Sequence, residues 1–207
     1  MADSRNATKP SARERLLAAA SELFYAEGVQ SVGIDRVIEH AGVAKASLYN
    51  NFGGKEELIR AYLDTHYIST TQGIELMLAR HDTPRERLLS VFDAQTELFA
   101  QPDFHGCAYV SASAEARPGS MVEQAADEFR AWVRSLFTSL AKDAGVANPE
   151  ALGKQLNLLY DGAGLSARMD RDPSAAVAAR AAASALLDAA LTSGRKRTTK
   201  RKASATA

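Results

Sequence analysis

The stretch 28–58, GVQSVGIDRVIEHAGVAKASLYNNFGGKEEL, decides how the chain is read. Ile34, Val37, Ile38 and Ala41 fall at i, i+3, i+4 and i+7, so one face of a short helix is built for burial. Gly42 follows where a left-handed residue is needed to stop that helix, a conformation glycine enters without a Cβ penalty. Val43, Leu48 and Phe52 anchor a second short helix. Between them stand Lys45, Ala46, Ser47, Tyr49 and Asn50, small or polar and turned outward. Two short helices around a glycine turn, the second with a polar outer face, form the layout of a helix-turn-helix. Such a face suits base edges in a major groove, which offer hydrogen-bonding groups and thymine methyls.

The run Ala41-Gly42-Val43-Ala44-Lys45-Ala46-Ser47-Leu48-Tyr49-Asn50-Asn51-Phe52, continued by Lys55-Glu56-Glu57-Leu58, resembles the DNA-binding segment of the TetR family of bacterial transcription regulators. With the helix before it, the resemblance covers about residues 11–58. The Leu-Tyr-x-x-Phe-x-x-Lys-Glu-x-Leu continuation restricts it far more than the helix-turn-helix spacing does. Two places depart from the family pattern. Val32 and Gly33 stand where a Thr and a Ser or Thr are frequent, and Ala44 where Ser is frequent; each removes a hydroxyl that could meet a phosphate. Gly33 is still an acceptable N-cap. The resemblance implies DNA contacts at Gly33, Ala44, Lys45, Ala46, Ser47, Tyr49, Asn50 and Lys55.

Tyr49 has packing as its alternative, but Leu48 and Phe52 already supply the buried face. Lys45 reads equally as a solvated charge. Lys55 opens a long helix, where its ammonium and the unpaired backbone N–H groups both attract a phosphate.

No segment reads as a strand. Periodicity and caps predict an all-α chain of about nine helices: 12–27, 34–41, 45–51, 54–80, 84–100, 107–115, 121–144, 149–169 and 173–192. Ser11/Glu14, Thr83/Glu86 and Ser120/Glu123 have capping-box spacing, and Asn148-Pro149 and Asp172-Pro173 add cap-plus-proline starts. The domain expectation is a disordered arm over 1–10, a reading domain over 11–53, an effector-binding and dimerisation domain over 54–194 entered by the connecting helix 54–80, and a disordered basic tail over 195–207.

The 207 residues carry 25 basic and 25 acidic side chains, unevenly spread. Residues 61–194 hold 11 basic and 17 acidic residues, whereas 195–207 hold six basic residues and no acid. Such a tail either adds sequence-independent affinity for DNA through counterion release or merely solubilises the chain. No apolar run reaches the ~18 residues of a membrane span, and residues 1–15 lack an apolar signal segment, so the expectation is a cytoplasmic protein without membrane association. A single cysteine excludes an internal disulfide framework. No metal or cofactor cluster is visible, and none is expected.

The middle of the chain concentrates aromatic residues. If the resemblance holds, some of them line a pocket for a small, apolar or aromatic effector; Phe92, Tyr109, Trp132, Tyr160 and Asp161 are the candidates. Asp161 interrupts the apolar run LNLLYDGAGL and needs a partner or a raised pKa. An intersubunit hydrogen bond is its other reading. In the family, the last two helices pair with their copies in a four-helix bundle, which nominates Gly162, Gly164, Leu186 and Leu187 for a homodimer interface. A dimer would read a pseudo-palindromic double-stranded operator. The chain is therefore expected to be a homodimeric regulator, a repressor released by its effector. A nonspecific DNA-associated protein relying on the tail is one alternative. The other is a small enzyme using Cys107 and His105, although a turn glycine and a small buried cysteine explain that segment more simply.

Overall fold

Ser11 starts the first helix by a reciprocal cap. Its hydroxyl accepts from the Glu14 backbone N–H at 3.2 Å while the Glu14 carboxylate accepts from the Ser11 backbone N–H at 2.8 Å. The computed structural model describes residues 9–204, with side chains as far as Ser193. Most of the arm expected over 1–10 lies outside the described residues; Lys9 and Pro10 are exposed and non-helical.

Nine helices and no strands are found among the described residues: α1 (Ala12–Glu27), α2 (Ile34–Ala41), α3 (Lys45–Phe52), α4 (Lys55–Leu78), α5 (Pro84–Phe99), α6 (Ala108–Glu115), α7 (Met121–Asp143), α8 (Pro149–Asp170) and α9 (Ala175–Ser204). The chain is all-α, as its periodicity predicts. Thr83 and Asn148 cap α5 and α8 with their side chains. Three starts differ from expectation. Thr83 accepts from the Glu86 N–H, but the Glu86 carboxylate goes to Arg85 and Arg180, so only half of that box forms. Glu123 accepts from the Gly119 N–H instead of completing a box with Ser120. Asp172 makes a local turn with Ser174, so α9 begins at Ala175, two residues later than Pro173 suggests.

The far end of α9 differs more. Its backbone is helical to Ser204, through most of the segment read as a disordered tail. Lysine, arginine and alanine are good helix formers, and once α9 is nucleated, each added residue gains a hydrogen bond without a new nucleus.

The chain divides into two compact units. The first comprises 1–66 and 108–126, the second 67–107 and 127–207. The sequence places a boundary after Gly53; the first unit instead runs to His66 and takes in a distant segment containing α6. In this unit Leu16, Phe24, Val32, Val37, Leu48 and Tyr62 are all but inaccessible, and Phe24 meets Tyr62 edge to face at 5.7 Å.

In the second unit α5 packs on α8 and α9 through Leu88, Leu89, Phe92, Leu156, Ala183 and Leu187, all fully buried. Around the α5–α9 contact, Arg85 reaches Asp188 at 3.1 Å, and Arg180 reaches Glu86 at 3.0 Å and Asp93 at 2.9 Å. These pairs bear on one further property of α9. By length and average composition its part 175–193 is apolar enough to cross a membrane, but alanine produces that average, and Arg180 and Asp188 within it are ion-paired to α5.

Candidate nucleic-acid interface

The α2–turn–α3 element is held from beneath by α1. Arg15 of α1 donates to the carbonyls of Ala41 and Gly42 at 3.3 and 3.0 Å, satisfying acceptors that the end of α2 leaves open. Gly42 takes the left-handed conformation (φ 60°, ψ 44°) that the turn requires. Leu48 is fully buried and fixes the rotation of α3. Arg13 lies over the Phe52 ring at 5.1 Å, closing the far end of that helix. Val32 is fully buried, so the position where the family often has a hydroxyl serves packing here.

This anchoring leaves Ala44, Lys45, Ala46, Tyr49 and Asn50 exposed on one side of α3, with Ser47 half-buried. Tyr49 is 49% accessible, which excludes the packing alternative. Neither Gly33 before α2 nor Ala44 before α3 supplies a side-chain cap, so both helix starts present backbone N–H groups without a local side-chain acceptor. The Lys45 ammonium sits 2.8 Å from the Asp35 carboxylate, a hydrogen bond and charge that raise its pKa. Both side chains are exposed, so the pair is screened by solvent and contributes little that a phosphate would have to displace. Asn51 folds back onto the Ser47 carbonyl at 2.7 Å and is engaged within its own helix.

Lys55 is half-buried at the first turn of α4. Its ammonium donates to the Gln30 carbonyl at 3.3 Å. Burial lowers its pKa, opposed by the nearby Glu115 carboxylate. Two carboxylates fasten the 108–126 segment to this region: Glu115 accepts from the Gln30 N–H at 2.7 Å, and Glu56 accepts from the Met121 N–H at 3.0 Å. Arg15, Glu56 and Glu115 were not nominated by the sequence. Their partners lie 26 to 85 residues away, and no periodic pattern marks them.

The five effector candidates do not form one group. Tyr109 is in the first unit, buried, its hydroxyl donating to the Leu63 carbonyl at 2.6 Å. The other four are in the second unit. There Phe92 and Tyr160 both pack on Phe137, with ring centroids 5.5 and 6.0 Å apart, while Trp132 meets Tyr67 and Phe129 at 5.6 and 5.9 Å. Asp161 pairs with Arg130 at 2.8 Å and accepts from Asn157 at 2.9 Å. Burial raises its pKa; Arg130 and Asn157 act against that. Burial also pushes the Tyr160 phenol above its ordinary range, with Cys107 and Asp161 adding to the effect. His105 has its Nδ1 2.7 Å from the Asp103 carbonyl.

Of the nominated interface residues, Gly162 is open, with nothing within 4 Å of where a Cβ would stand. Leu186 is half-buried. Gly164 and Leu187 are corrections. Gly164 is buried with the Phe99 ring 3.9 Å from its Cβ position, and Leu187 has no accessible surface to offer a partner. The exposed large apolar residues of α8 are instead Leu158, Leu165 and Met169, at 69%, 51% and 72% accessibility, and α9 exposes Val177 at 55%.

Residues 16–62 match the family model described as bacterial regulatory proteins, tetR family. The chain is 32% identical to a TetR-family transcriptional regulator of Streptomyces coelicolor, whose crystal structure superposes with a TM-score of 0.82, covering 86% of this chain and 95% of that one. It is 28% identical over 134 residues to the HTH-type transcriptional activator FasR of Mycolicibacterium smegmatis, covering 65% of this chain and 61% of FasR. To the HTH-type transcriptional repressor NemR of Escherichia coli it is 32% identical over 110 residues, covering 52% of this chain and 55% of NemR. The matches thus span between half and two thirds of these two curated relatives. The crystal structure of reduced E. coli NemR gives 26% identity and a TM-score of 0.73, covering 83% of this chain and 94% of that one.

Proposed function

The chain belongs to the TetR family of bacterial transcriptional regulators, and from that premise we propose that it is a homodimeric DNA-binding repressor released from its operator by a small molecule. Regulators of this family bind DNA operators and small-molecule effectors and act as dimers. The observation that carries the reading for this chain is the outer side of α3. Lys45, Ala46, Tyr49 and Asn50 stand clear of the fold on a helix whose rotation Leu48 fixes and whose base Arg15 secures. Asn50 and Tyr49 contact base edges and the backbone, while Lys45, Lys55, Ser47 and the N–H groups after Gly33 and Ala44 contact phosphates. Repression is the sense in which NemR is named; FasR is named an activator, and a promoter fusion assayed with and without the protein separates the two.

Dimerisation uses the exposed apolar residues of α8 and α9, with Gly162 allowing close approach of the two backbones. That arrangement supports a second copy as the partner, because a two-fold contact presents the same side of α8 from each chain. The effector acts by favouring a state in which the paired α3 helices no longer match successive major grooves. Action on DNA implies a cytoplasmic protein. Selection of bound sequences from a random DNA pool tests the proposal. A pseudo-palindrome with half-sites about one helical turn apart supports it; a pool without sequence enrichment refutes it.

A further inference from the structure

Two buried amide side chains in the second unit each lack a donor. Gln95 on α5 is 4% accessible and Asn157 on α8 is 6% accessible. Gln95 gives its N–H to the Tyr160 carbonyl at 3.0 Å, and Asn157 gives its N–H to the Asp161 carboxylate at 2.9 Å. Both partners only accept, so each amide has its nitrogen fixed and its oxygen turned elsewhere. Neither oxygen, Gln95 Oε1 or Asn157 Oδ1, meets a donor among the described residues. A buried unpaired acceptor forfeits its hydration without return, and two so near in space call for a function.

They open on the same layer. Gly153, Asn157, Tyr160 and Gly164 share one side of α8 by helical spacing. Gly153 lies against Thr138 of α7, Tyr160 against Phe137 of α7, and Gly164 against Phe99 of α5. Asn157 is therefore on the side of α8 that faces α5 and α7, one turn from the carbonyl that orients Gln95. Phe92, Phe137 and Tyr160 make the surroundings aromatic. The Asp161 carboxylate pairs with Arg130, and Arg134 of α7 also acts on it.

We infer that Gln95 Oε1 and Asn157 Oδ1 are the recognition groups of a ligand site between α5, α7 and α8, and that the ligand is an uncharged aromatic molecule carrying N–H or O–H donors. The two acceptors require donors and repel an anionic group, the rings favour a flat apolar body, and the two guanidiniums near Asp161, Arg130 and Arg134, disfavour a cation. The chemistry of this site stands by itself; its consequence for transcription rests on the regulator reading above.

The test uses the full chain and two matched probe pairs in calorimetry without DNA: resorcinol against 1,3-dimethoxybenzene, and 4-hydroxybenzamide against 4-methoxy-N,N-dimethylbenzamide. In at least one pair the donor-bearing member binds about tenfold or more tightly than its methylated counterpart, and 4-hydroxybenzoate binds more weakly than 4-hydroxybenzamide. Gln95→Met and Asn157→Leu remove that preference. Gln95→Met melts, ligand-free, at or above the parent temperature, because it loses an unpaired acceptor and the Tyr160 carbonyl keeps its place in the α8 ladder, whereas Asn157→Leu also gives up its bond to Asp161. Equal binding within both pairs overturns the inference, as does the absence of binding by every probe. A Gln95→Met variant that melts below the parent also overturns it, since that amide is then structural or water-bridged. Adding operator to the parent with the bound probe reports separately: unchanged DNA affinity contradicts the effector role and leaves the site intact.

Discussion

Glu115, the last residue of α6, holds the backbone N–H of Gln30 in the turn between α1 and α2 at 2.7 Å. Residues 85 apart in sequence thus meet at the edge of the reading element. Gly28 in the same turn has φ 93° and ψ 151°, and a Cβ there would stand 2.6 Å from the Glu115 carboxylate. Gly28→Ala should therefore destabilise the chain by about 1–3 kcal/mol, since the backbone conformation is nearly glycine-only before any clash is counted. Glu115→Ala should cost about 1 kcal/mol, the worth of an ordinary hydrogen bond. Urea unfolding checks both; a Gly28→Ala midpoint equal to the parent's would contradict this account of the turn.

Leu48 and Tyr49 are neighbours with opposite duties. Leu48→Ala should lower stability by about 2–5 kcal/mol through the cavity it leaves. Tyr49→Ala should leave stability within about 0.5 kcal/mol of the parent while weakening operator binding. Paired melting and gel-shift measurements separate the effects, and a folded Tyr49→Ala protein binding as tightly as the parent removes Tyr49 from the interface.

On α8 and α9 the same contrast tests the dimer. Leu165→Asp or Met169→Asp should convert dimer to monomer in sedimentation without loss of helix content, and Gly162→Leu should weaken the dimer by holding the backbones apart. Leu187→Ala should instead lower the melting temperature, because Leu187 packs within its own chain. A dimer unmoved by both aspartate variants places the interface elsewhere.

His66 packs against Tyr25 and Tyr62, with ring centroids at 5.1 and 4.8 Å. Burial lowers its pKa below the ordinary histidine value of 6.5. The unfolded chain therefore binds the proton first as pH falls, and stability present above about pH 6.5 is lost between that pH and the lower folded-state value. His66→Phe should flatten this part of the stability profile, measured by urea midpoints from pH 7.5 to 5. An unchanged profile would assign the acid sensitivity to other groups.

The helices were legible in the sequence wherever periodicity and punctuation coincide. Gly42, the spacing of Val37, Ile38 and Ala41, and the caps at Ser11, Thr83 and Asn148 are local signals, and the fold obeys them. The rotation of α9 was harder to read. On a helix so rich in alanine, side chains of nearly equal size mark its sides poorly, and Leu187 turned inward where an outward position was expected. The end of α9 escaped for a related reason, since basic composition describes solubility while helix propensity decides the backbone. Glu115, Arg15 and Gln95 act through partners far along the chain, which no window of sequence contains.

Lys55→Ala should weaken binding to all DNA sequences alike and reduce the salt slope by roughly 1 per subunit contact, as loss of a phosphate contact does. A loss confined to particular base pairs would contradict that role.

The central claim, that the outer side of α3 reads bases, is tested most directly by measuring the affinity of the parent and of Asn50→Ala for every single-base variant of the selected operator at fixed salt. The account predicts that Asn50→Ala loses about 1–3 kcal/mol on the parent site and relaxes discrimination at one base pair in each half-site, the other positions keeping theirs. A uniform loss across all variants, or a base-preference profile identical to the parent's, would contradict it.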